Sequence, residues 1–272
     1  MIRSIAAVLL LCLALVSFSS AQRTKRDVAK PAQPAQRDPA ALAALAQMAA
    51  TTGWNPLNLP TDAVVSGTIT LASGSSSTVT YKMRGLSQYR SDVQNGTSLT
   101  STVVNNGQMA VTYPDGTVQY LALQDVVSTW PVTVPVFSNV ANAAVFQDLS
   151  VTYLGTEAVD STSCNKIQIS TNIQPVDPVT AIESAVATIT IWLDASNGLP
   201  VQLQYPRLAS DGSTASVSRT RKFSNYQPVN GMLVAFTQQE FANGLKLYSV
   251  QLTAASFNVG LTDADFVLPN VQ

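Results

Sequence analysis

The sequence contains no histidine and only two cysteines among its 272 residues. Serine and cysteine nucleophiles normally need an adjacent base, so the absence of imidazole excludes the common catalytic triads. The usual zinc sites are excluded as well, because they require imidazole or paired thiolates. The apolar run near the start is shorter than the ~20 residues that a membrane-spanning helix needs, and no second run follows. We therefore expect no enzymatic activity, no cofactor, no metal site and no transmembrane span.

Residues 1–21 have the three parts of a secretory signal peptide. Arg3 provides a basic start, Ile5 to Val16 form the apolar run, and Ser19-Ser20-Ala21 supplies the small residues of a cleavage site. Removal of this segment leaves Cys164 as the only thiol, which excludes an intramolecular disulfide in an exported protein. We expect a periplasmic or extracellular protein in which Cys164 is a small buried group.

The next sixteen residues differ in composition from the rest of the chain. Residues 22–37 hold five basic side chains and one acidic side chain, with two prolines among small and polar residues. This composition is typical of a disordered leader, and its charge could favour an anionic membrane surface. Residues 38–272 are expected to form one domain, because a chain of this length can bury enough surface without a covalent cross-link.

Hairpin turns are the strongest structural signal. Seven of the thirteen glycines follow an Asn or Asp, a dipeptide that favours the type I′ turn because both residues accept positive φ. The seven pairs are Asn95-Gly96, Asn106-Gly107, Asp115-Gly116, Asn197-Gly198, Asp211-Gly212, Asn230-Gly231 and Asn243-Gly244. Apolar and polar residues alternate with period two between them. The prediction is a mainly β fold: a single curved antiparallel sheet of about ten or eleven strands that forms an incomplete barrel, with a few short covering helices.

Two of these helices are marked by an Asp that precedes a Pro. Asp38 can cap the first helix, which begins at Pro39 and is expected to end at Gly53. Asp177-Pro178 repeats this signal, and the second helix is expected to extend to about Ala185.

One long stretch, Gln124 to Asp148, breaks the strand pattern. It contains prolines that argue against a central strand, together with several large apolar side chains and few charges. A connection of this kind can close over a cavity, or it can simply cover one end of the core. Trp130, Phe137 and Phe146 are therefore candidate lid residues.

The charged side chains form no obvious site. The folded part is modestly acidic, which disfavours nucleic-acid binding. Arg219, Arg221 and Lys222 form a small basic group on one predicted strand, expected on the outer polar face; the alternative is a docking patch for a lipid headgroup or a partner. Asp263 and Asp265 could be imagined as an acid pair or calcium ligands, but a structural turn is preferred.

Several short segments follow one another in a characteristic order. They are Tyr81–Gly85 with Tyr89-Arg90, Asn105–Gly107 with Tyr113, Tyr153–Glu157 with Cys164–Ile167, Trp192–Asp194, Asn197–Pro200, Tyr226 with Asn230-Gly231, and Asp263–Pro269. None is specific alone, but together they resemble the LolA-type family of periplasmic lipoprotein carriers, related in fold to LolB, over most of residues 40–270. The resemblance implies an incomplete barrel whose concave apolar face takes acyl chains and whose covering helices move aside.

The resemblance also points to an inward-facing arginine, which would correspond to Arg84. Gly85 stands where the family typically has proline, and strand alternation places Arg84 away from the face that carries Tyr81 and Met83. A bulge at Gly85 would reconcile the two; otherwise Arg84 is a solvated basic residue. Arg84 and Arg90 are accordingly candidate polar or gating residues.

A carrier of acyl chains must offer an apolar trough, because each methylene exposed to water costs about 0.8 kcal/mol. One apolar face of a curved sheet could supply that trough. The candidate lining residues are Val65, Ile69, Tyr81, Met83, Tyr113, Ile191, Leu203, Phe236, Tyr248 and Val250. The alternative is that these side chains fill an ordinary core and leave no cavity.

Three functional hypotheses follow. The leading one is an exported, non-enzymatic binding protein that holds a lipid or a lipoprotein acyl chain, acts as a monomer, and exchanges its ligand with a membrane-bound donor or acceptor protein. The second is an envelope sensor or protein-interaction module on the same fold. The third is a glycan-binding or adhesive β-sandwich.

Overall fold

The computed structural model describes residues 35–55, 59–85, 87–121, 140, 142–171, 173, 178–208 and 216–269. These residues form one antiparallel sheet, two α-helices and a 3₁₀ helix at Asp263–Phe266. The strands are β1 (Asp62–Leu71), β2 (Ser76–Arg84), β3 (Gln88–Asn95), β4 (Ser98–Asn105), β5 (Gln108–Thr112), β6 (Val118–Tyr120), β7 (Leu149–Val159), β8 (Thr162–Thr171), β9 (Thr188–Asp194), β10 (Pro200–Leu208), β11 (Ser216–Val229), β12 (Met232–Ala242) and β13 (Leu245–Phe257). The helices are α1 (Pro39–Thr52) and α2 (Pro178–Val186).

The order of the strands is β6-β5-β4-β3-β2-β1-β13-β12-β11-β10-β9-β8-β7. The chain starts in the middle of the sheet, meanders to the β6 edge, and re-enters at the opposite edge, β7. A second meander returns to β13, which pairs with β1 and joins the two halves. The predicted single antiparallel sheet is confirmed, and it is open rather than closed. The β-sandwich required by the third hypothesis does not occur in the described part of the chain.

The sheet has thirteen strands rather than the ten or eleven expected. β3 has the weakest strand signal in the sequence, because its residues, QYRSDVQN, are mostly polar on both faces. Its strand conformation is instead imposed by pairing with β2 on one side and β4 on the other. Tertiary pairing overrides a weak local pattern here.

The predicted turns form as expected wherever they lie in the described residues. Six of the seven Asx-Gly pairs join neighbouring strands, and Asp211-Gly212 lies outside the described residues. Both residues have positive φ at Asn106-Gly107, Asn230-Gly231 and Asn243-Gly244, as a type I′ turn requires.

Helix α1 begins and ends where the sequence predicts. The side chain of Asp38 accepts a hydrogen bond from the backbone N–H of Ala40 at 2.9 Å, and Gly53 ends the helix with a φ of 73°. Leu45 and Met48 are fully buried and join the main core cluster with strand side chains. The second helix, Pro178–Val186, also agrees with its prediction.

Helix α1 lies across the strands of one half of the sheet. Its start bonds to β7, and Gly53 at its end packs against Gly231 in the turn between β11 and β12. These two strands stand five positions apart in the sheet order, about 24 Å at 4.8 Å per strand, and a helix of 14 residues extends about 21 Å. Strongly twisted open sheets of more than about ten strands generally curl, and we take the face that α1 covers as the concave face.

Both ends of α1 are fixed to the sheet. At the start, the N–H of Asp38 donates to the carbonyl of Val151 at 2.9 Å. At the end, the hydroxyl of Thr51 donates to the carbonyl of Asn197 at 2.6 Å. A Cβ at Gly198 would lie 2.9 Å from a side-chain carbon of the helix, so a side chain there would push α1 away. These contacts hold the helix against one half of the concave face.

Arg37, the last residue of the expected leader, anchors the segment that enters β7. Its backbone forms a parallel bridge with Val151. Its guanidinium donates, at 2.6 to 3.0 Å, to the carbonyls of Ala143, Ala144, Phe146 and Leu149. Carbonyl groups at the end of a helical turn collect partial negative charge, so a cation is favourable there.

Replacing Arg37 with methionine, which keeps an apolar stem, should lower the free energy of unfolding by about 3 kcal/mol. Several carbonyls lose a charged donor, and each buried group left unsatisfied costs about 1–3 kcal/mol. Urea denaturation followed by circular dichroism measures the change. Arg90→Met is the control, because Arg90 makes only a partly exposed ion pair with Asp92 and should cost less than about 1 kcal/mol. Equal losses in the two variants would contradict this role for Arg37.

Candidate functional site

The candidate site is the concave face of the sheet, which can be followed along one continuous row of paired residues. Directly paired residues of antiparallel strands project from the same face. From β7 to β1 the members of this row are Tyr153, Ile167, Ile191, Leu203, Arg221, Glu240, Tyr248 and Leu71. Ile167, Ile191 and Leu203 are fully buried, which identifies this face as the core side.

Nine of the ten predicted lining residues meet on this side of the sheet. Val65, Met83, Ile191, Leu203, Phe236 and Val250 belong to the main buried cluster, and Ile69, Tyr81 and Tyr248 are half-buried against it. Tyr113 lies apart from them. Its side chain is exposed, and its hydroxyl donates to the side-chain oxygen of Gln119 at 2.8 Å.

Two charged side chains interrupt the apolar row. Nε of Arg221 donates to a carboxylate oxygen of Glu240 at 2.9 Å, and the two side chains are only 8% and 3% exposed. The hydroxyl of Tyr205 donates to the other oxygen of Glu240 at 2.5 Å. Nη2 of Arg221 donates to the hydroxyl of Tyr248 at 3.3 Å. These four residues are the interior polar cluster.

The environment perturbs the pKa values of Arg221 and of two buried tyrosines, Tyr205 and Tyr81. Burial opposes the charge of Arg221, but the oxygens of Tyr248, Glu240 and Tyr205 outweigh it and raise the guanidinium pKa above its ordinary value. Burial raises the pKa of Tyr205, and that of Tyr81 on β2. The arginine is therefore permanently charged, and the phenols are neutral hydrogen-bonding groups at physiological pH.

The position of Arg221 corrects the expectation that all three basic residues of β11 lie on the outer face. Arg219 and Arg221 are two residues apart and pair with buried residues of β10, so both project from the core face. Only Lys222 faces outward, where it pairs with Asp160 at 2.6 Å. The signal in the sequence was Phe223, because period-two alternation puts Arg219 and Arg221 on the same face as that buried aromatic.

The two candidate gating arginines lie on the outer face. Met83 on β2 is buried, so Arg84 beside it projects the other way, where it donates to Gln88 at 2.6 Å. The positive φ of Gly85 does not turn it inward. Arg90 lies directly opposite Lys82 on this same face.

The outer arginine is part of a contact that fixes the C-terminal tail. Arg84 forms an ion pair with Asp263, and Lys82 forms one with Asp265 at 2.7 Å. Between them the 3₁₀ helix lays the fully buried Phe266 on β3 and β4. We call these two ion pairs the tail clasp. The preferred interpretation of both aspartates, a structural turn, agrees with this arrangement.

The lid candidates are described only in part. Trp130 and Phe137 lie outside the described residues. Phe146 is half-buried and packs against the main core cluster, beside the fully buried Val140 and Ala143.

Among the described residues, no group of three or more His, Cys, Asp or Glu side chains lies close enough to hold a metal ion. No helix in the same ranges is both long and apolar enough to cross a bilayer. Cys164 is fully buried, as expected.

Comparison with solved structures places the architecture among known folds. A Vibrio parahaemolyticus domain, assigned by name to outer-membrane lipoprotein sorting, superposes with a TM-score of 0.54 at 13% identity, over 84% of this chain and 96% of that one. A LolA superfamily protein from Nitrosomonas europaea gives a TM-score of 0.52 at 12% identity, over 84% and 97% of the two chains. The chain has a LolA-like fold. This confirms the fold predicted in the sequence analysis, where short segments follow one another in the order typical of the LolA-type family.

The sequence alone gives no comparable match. No protein-family profile matches the chain, and no curated protein matches it either. At 12–13% identity, the likeness of the two solved structures shows the LolA-like fold and leaves the function to be argued from the site.

The interior ion pair gives a stability prediction. Glu240→Gln should lower the free energy of unfolding by about 3–5 kcal/mol, because it leaves the charge of Arg221 buried without a counter-charge. The double variant Arg221→Met/Glu240→Leu should recover most of this loss, since apolar groups of similar volume replace the pair. Chemical denaturation of both variants measures the difference.

The matched control is Lys222→Met, which removes the outer ion pair with the exposed Asp160 and should cost less than about 1 kcal/mol. A double variant that loses at least as much stability as Glu240→Gln would contradict the account of a coupled buried pair.

The tail clasp gives a pH prediction. Lys82, followed by the backbone N–H of Thr262, lowers the pKa of Asp265 from 3.8 to about 2. Because the folded-state pKa lies below the unfolded value, the ionised carboxylate stabilises the fold above about pH 4, and this contribution disappears as pH falls through about 2. Asp265→Asn and Lys82→Met should each reduce the loss of unfolding free energy between about pH 5 and pH 2. An unchanged pH dependence in both variants would contradict the role of the clasp.

Proposed function

We propose that this protein is an exported, non-enzymatic binding protein that holds a lipid or a lipoprotein acyl chain against the concave face of its sheet. The observation that carries the proposal is the half-buried apolar surface of Ile69, Tyr81 and Tyr248 on the concave face of an open sheet, beside the half that α1 covers. An alkyl chain lying there would leave water, which contributes about 0.8 kcal/mol per methylene.

The half-buried residues suggest where a ligand would lie. The main strand contacts of α1 are with β7 and β12, so the helix covers one half of the concave face. Ile69, Tyr81 and Tyr248 are half-buried at the margin of the core cluster, on β1, β2 and β13. The exposed parts of these three side chains offer apolar surface beside the helix. A trough over the three central strands would explain why these side chains are only partly buried.

Exchange of the ligand needs no chemical step in this proposal. The sequence contains no histidine, the base that the common hydrolytic triads require. A membrane or a membrane-bound donor or acceptor protein would instead load and remove the ligand by competition. The Vibrio domain of like fold, named for outer-membrane lipoprotein sorting, supports a carrier of this kind. The signal-like start of the sequence is consistent with action in the periplasm.

Bound lipid and a blocking variant test the proposal together. Protein purified from a membrane-containing host should release a lipid on organic extraction, identified by mass spectrometry. Ile69→Trp should reduce the lipid recovered per protein by roughly threefold or more, since an indole would occupy trough volume in a site that cannot expand freely. Thr70→Trp is the matched control, because Thr70 is the next residue on the same strand and faces outward.

Equal lipid content in the two tryptophan variants would overturn the location of the trough. A protein without any lipid, which instead copurifies stably with another envelope protein, would favour the sensor or interaction module.

A further inference from the structure

We propose that Arg219 and the interior polar cluster form a subsite for the anionic head group of the ligand, a carboxylate or a phosphate ester, with the alkyl tail lying in the trough. This inference rests on the proposed function and narrows it. It makes the preferred ligand an anionic amphiphile rather than any apolar chain.

Arg219 supplies the first observation. It pairs across the strands with Tyr205, a member of the cluster, and projects from the same face as Arg221. Its Cα lies two residues from that of Arg221, a distance of about 6.6 Å along a strand. Nε of Arg219 is buried and has no hydrogen-bond partner within the described residues. A buried donor without an acceptor is costly, and an acceptor oxygen on a ligand would remove that cost.

The balance of charge in the cluster supplies the second observation. Arg219 and Arg221 project from the same face of β11, and the cluster contains one carboxylate, Glu240, which is already bonded to Arg221 and Tyr205. The planar guanidinium matches the geometry of carboxylate and phosphate oxygens. The hydroxyl groups of Tyr205 and Tyr248 add further hydrogen-bonding groups to the cluster. The cluster therefore favours an anion over a neutral or cationic head group.

The location of the cluster suits an amphiphile. Arg219 lies three residues after the start of β11, and its partner on β12, Ala242, is the last residue of that strand before the turn at Asn243-Gly244. The charged groups thus lie near one rim of the concave face. Tyr248 belongs both to the cluster and to the trough, and Ile69 and Tyr81 lie on the neighbouring strands β1 and β2. A head group at the rim leaves its tail in this trough.

Stability alone is a weak reason for such a cluster. Removing two charges from water costs several kcal/mol per ion, and well-packed apolar side chains of similar volume usually stabilise a core as well or better. Recognition of an anionic ligand gives a reason for a second guanidinium with an unpartnered nitrogen next to the ion pair.

Matched ligands test the subsite. Equilibrium affinities of the delipidated full chain should be measured for palmitate, hexadecyl phosphate and hexadecanol, which share one tail length and differ in head group. At least one of the two anions should bind about tenfold or more tightly than the alcohol, as expected for a charge-assisted hydrogen bond. Arg219→Met should reduce that preference to about twofold or less.

Lys222→Met serves as the control, because it removes a cation from the same strand on the outer face and should leave the preference unchanged. A preference for palmitate would identify a fatty-acid head group, and one for hexadecyl phosphate a phosphate ester; either supports the subsite. Circular dichroism of Arg219→Met confirms that the variant is folded.

The possible results distinguish failure of the head-group subsite from failure of the proposed lipid-binding function. Equal affinity of the wild-type protein for the alcohol and both anions would overturn the subsite and leave the lipid-binding function standing. Binding of none of the three amphiphiles would overturn both. A preference that survives intact in Arg219→Met, or falls equally in Lys222→Met, would overturn the role of Arg219.

Discussion

Helix α1 contacts both β7 and β12, and it ties together the strands of one half of the curved sheet. Leu45 and Met48 of the helix are fully buried in the main core cluster. Asp38, just before the helix, bonds to β7, and the last turn of the helix bonds to the β9–β10 turn. If the sheet were flat, a second layer of helices or strands would be needed to cover the same apolar row. The bend allows one helix to cover part of the row and leaves the rest facing inward.

The curvature of the sheet also determines the environment of the charged side chains on the concave face. On a flat, half-solvated sheet, Arg221 and Glu240 would form an ordinary surface pair of small energetic value. On the concave face they lie in a region of low polarity, where their interaction is stronger and their desolvation is costly. In the proposed subsite, the same side chains select the head group of the ligand. The outer face shows the contrast: its ion pairs, such as Lys222 with Asp160, are partly exposed and serve to fix turns and the tail.

Much of this fold can be read from local chemistry. Asn and Asp before glycine fix the hairpins through their tolerance of positive φ, and Asp38, Pro39 and Gly53 fix both ends of α1. The polar residues of β3 give little strand signal of their own, and its conformation depends on pairing with β2 and β4. The charge of Arg221 favours exposure, but its alternation with the buried Phe223 correctly indicates the core face. The pairing of Arg219 and Arg221 with Tyr205 and Glu240 depends on register between strands, which no single segment encodes.

The central claim is that the concave face of this LolA-like fold is an apolar trough with a charged rim. A crystal structure of the protein as purified from a membrane-containing host tests it most directly. The account predicts elongated electron density beside Ile69 and Val250, with one end at Arg219 and Arg221. A concave face in which side chains fill the hollow completely, with Arg219 bonded to another group of the protein, would contradict it.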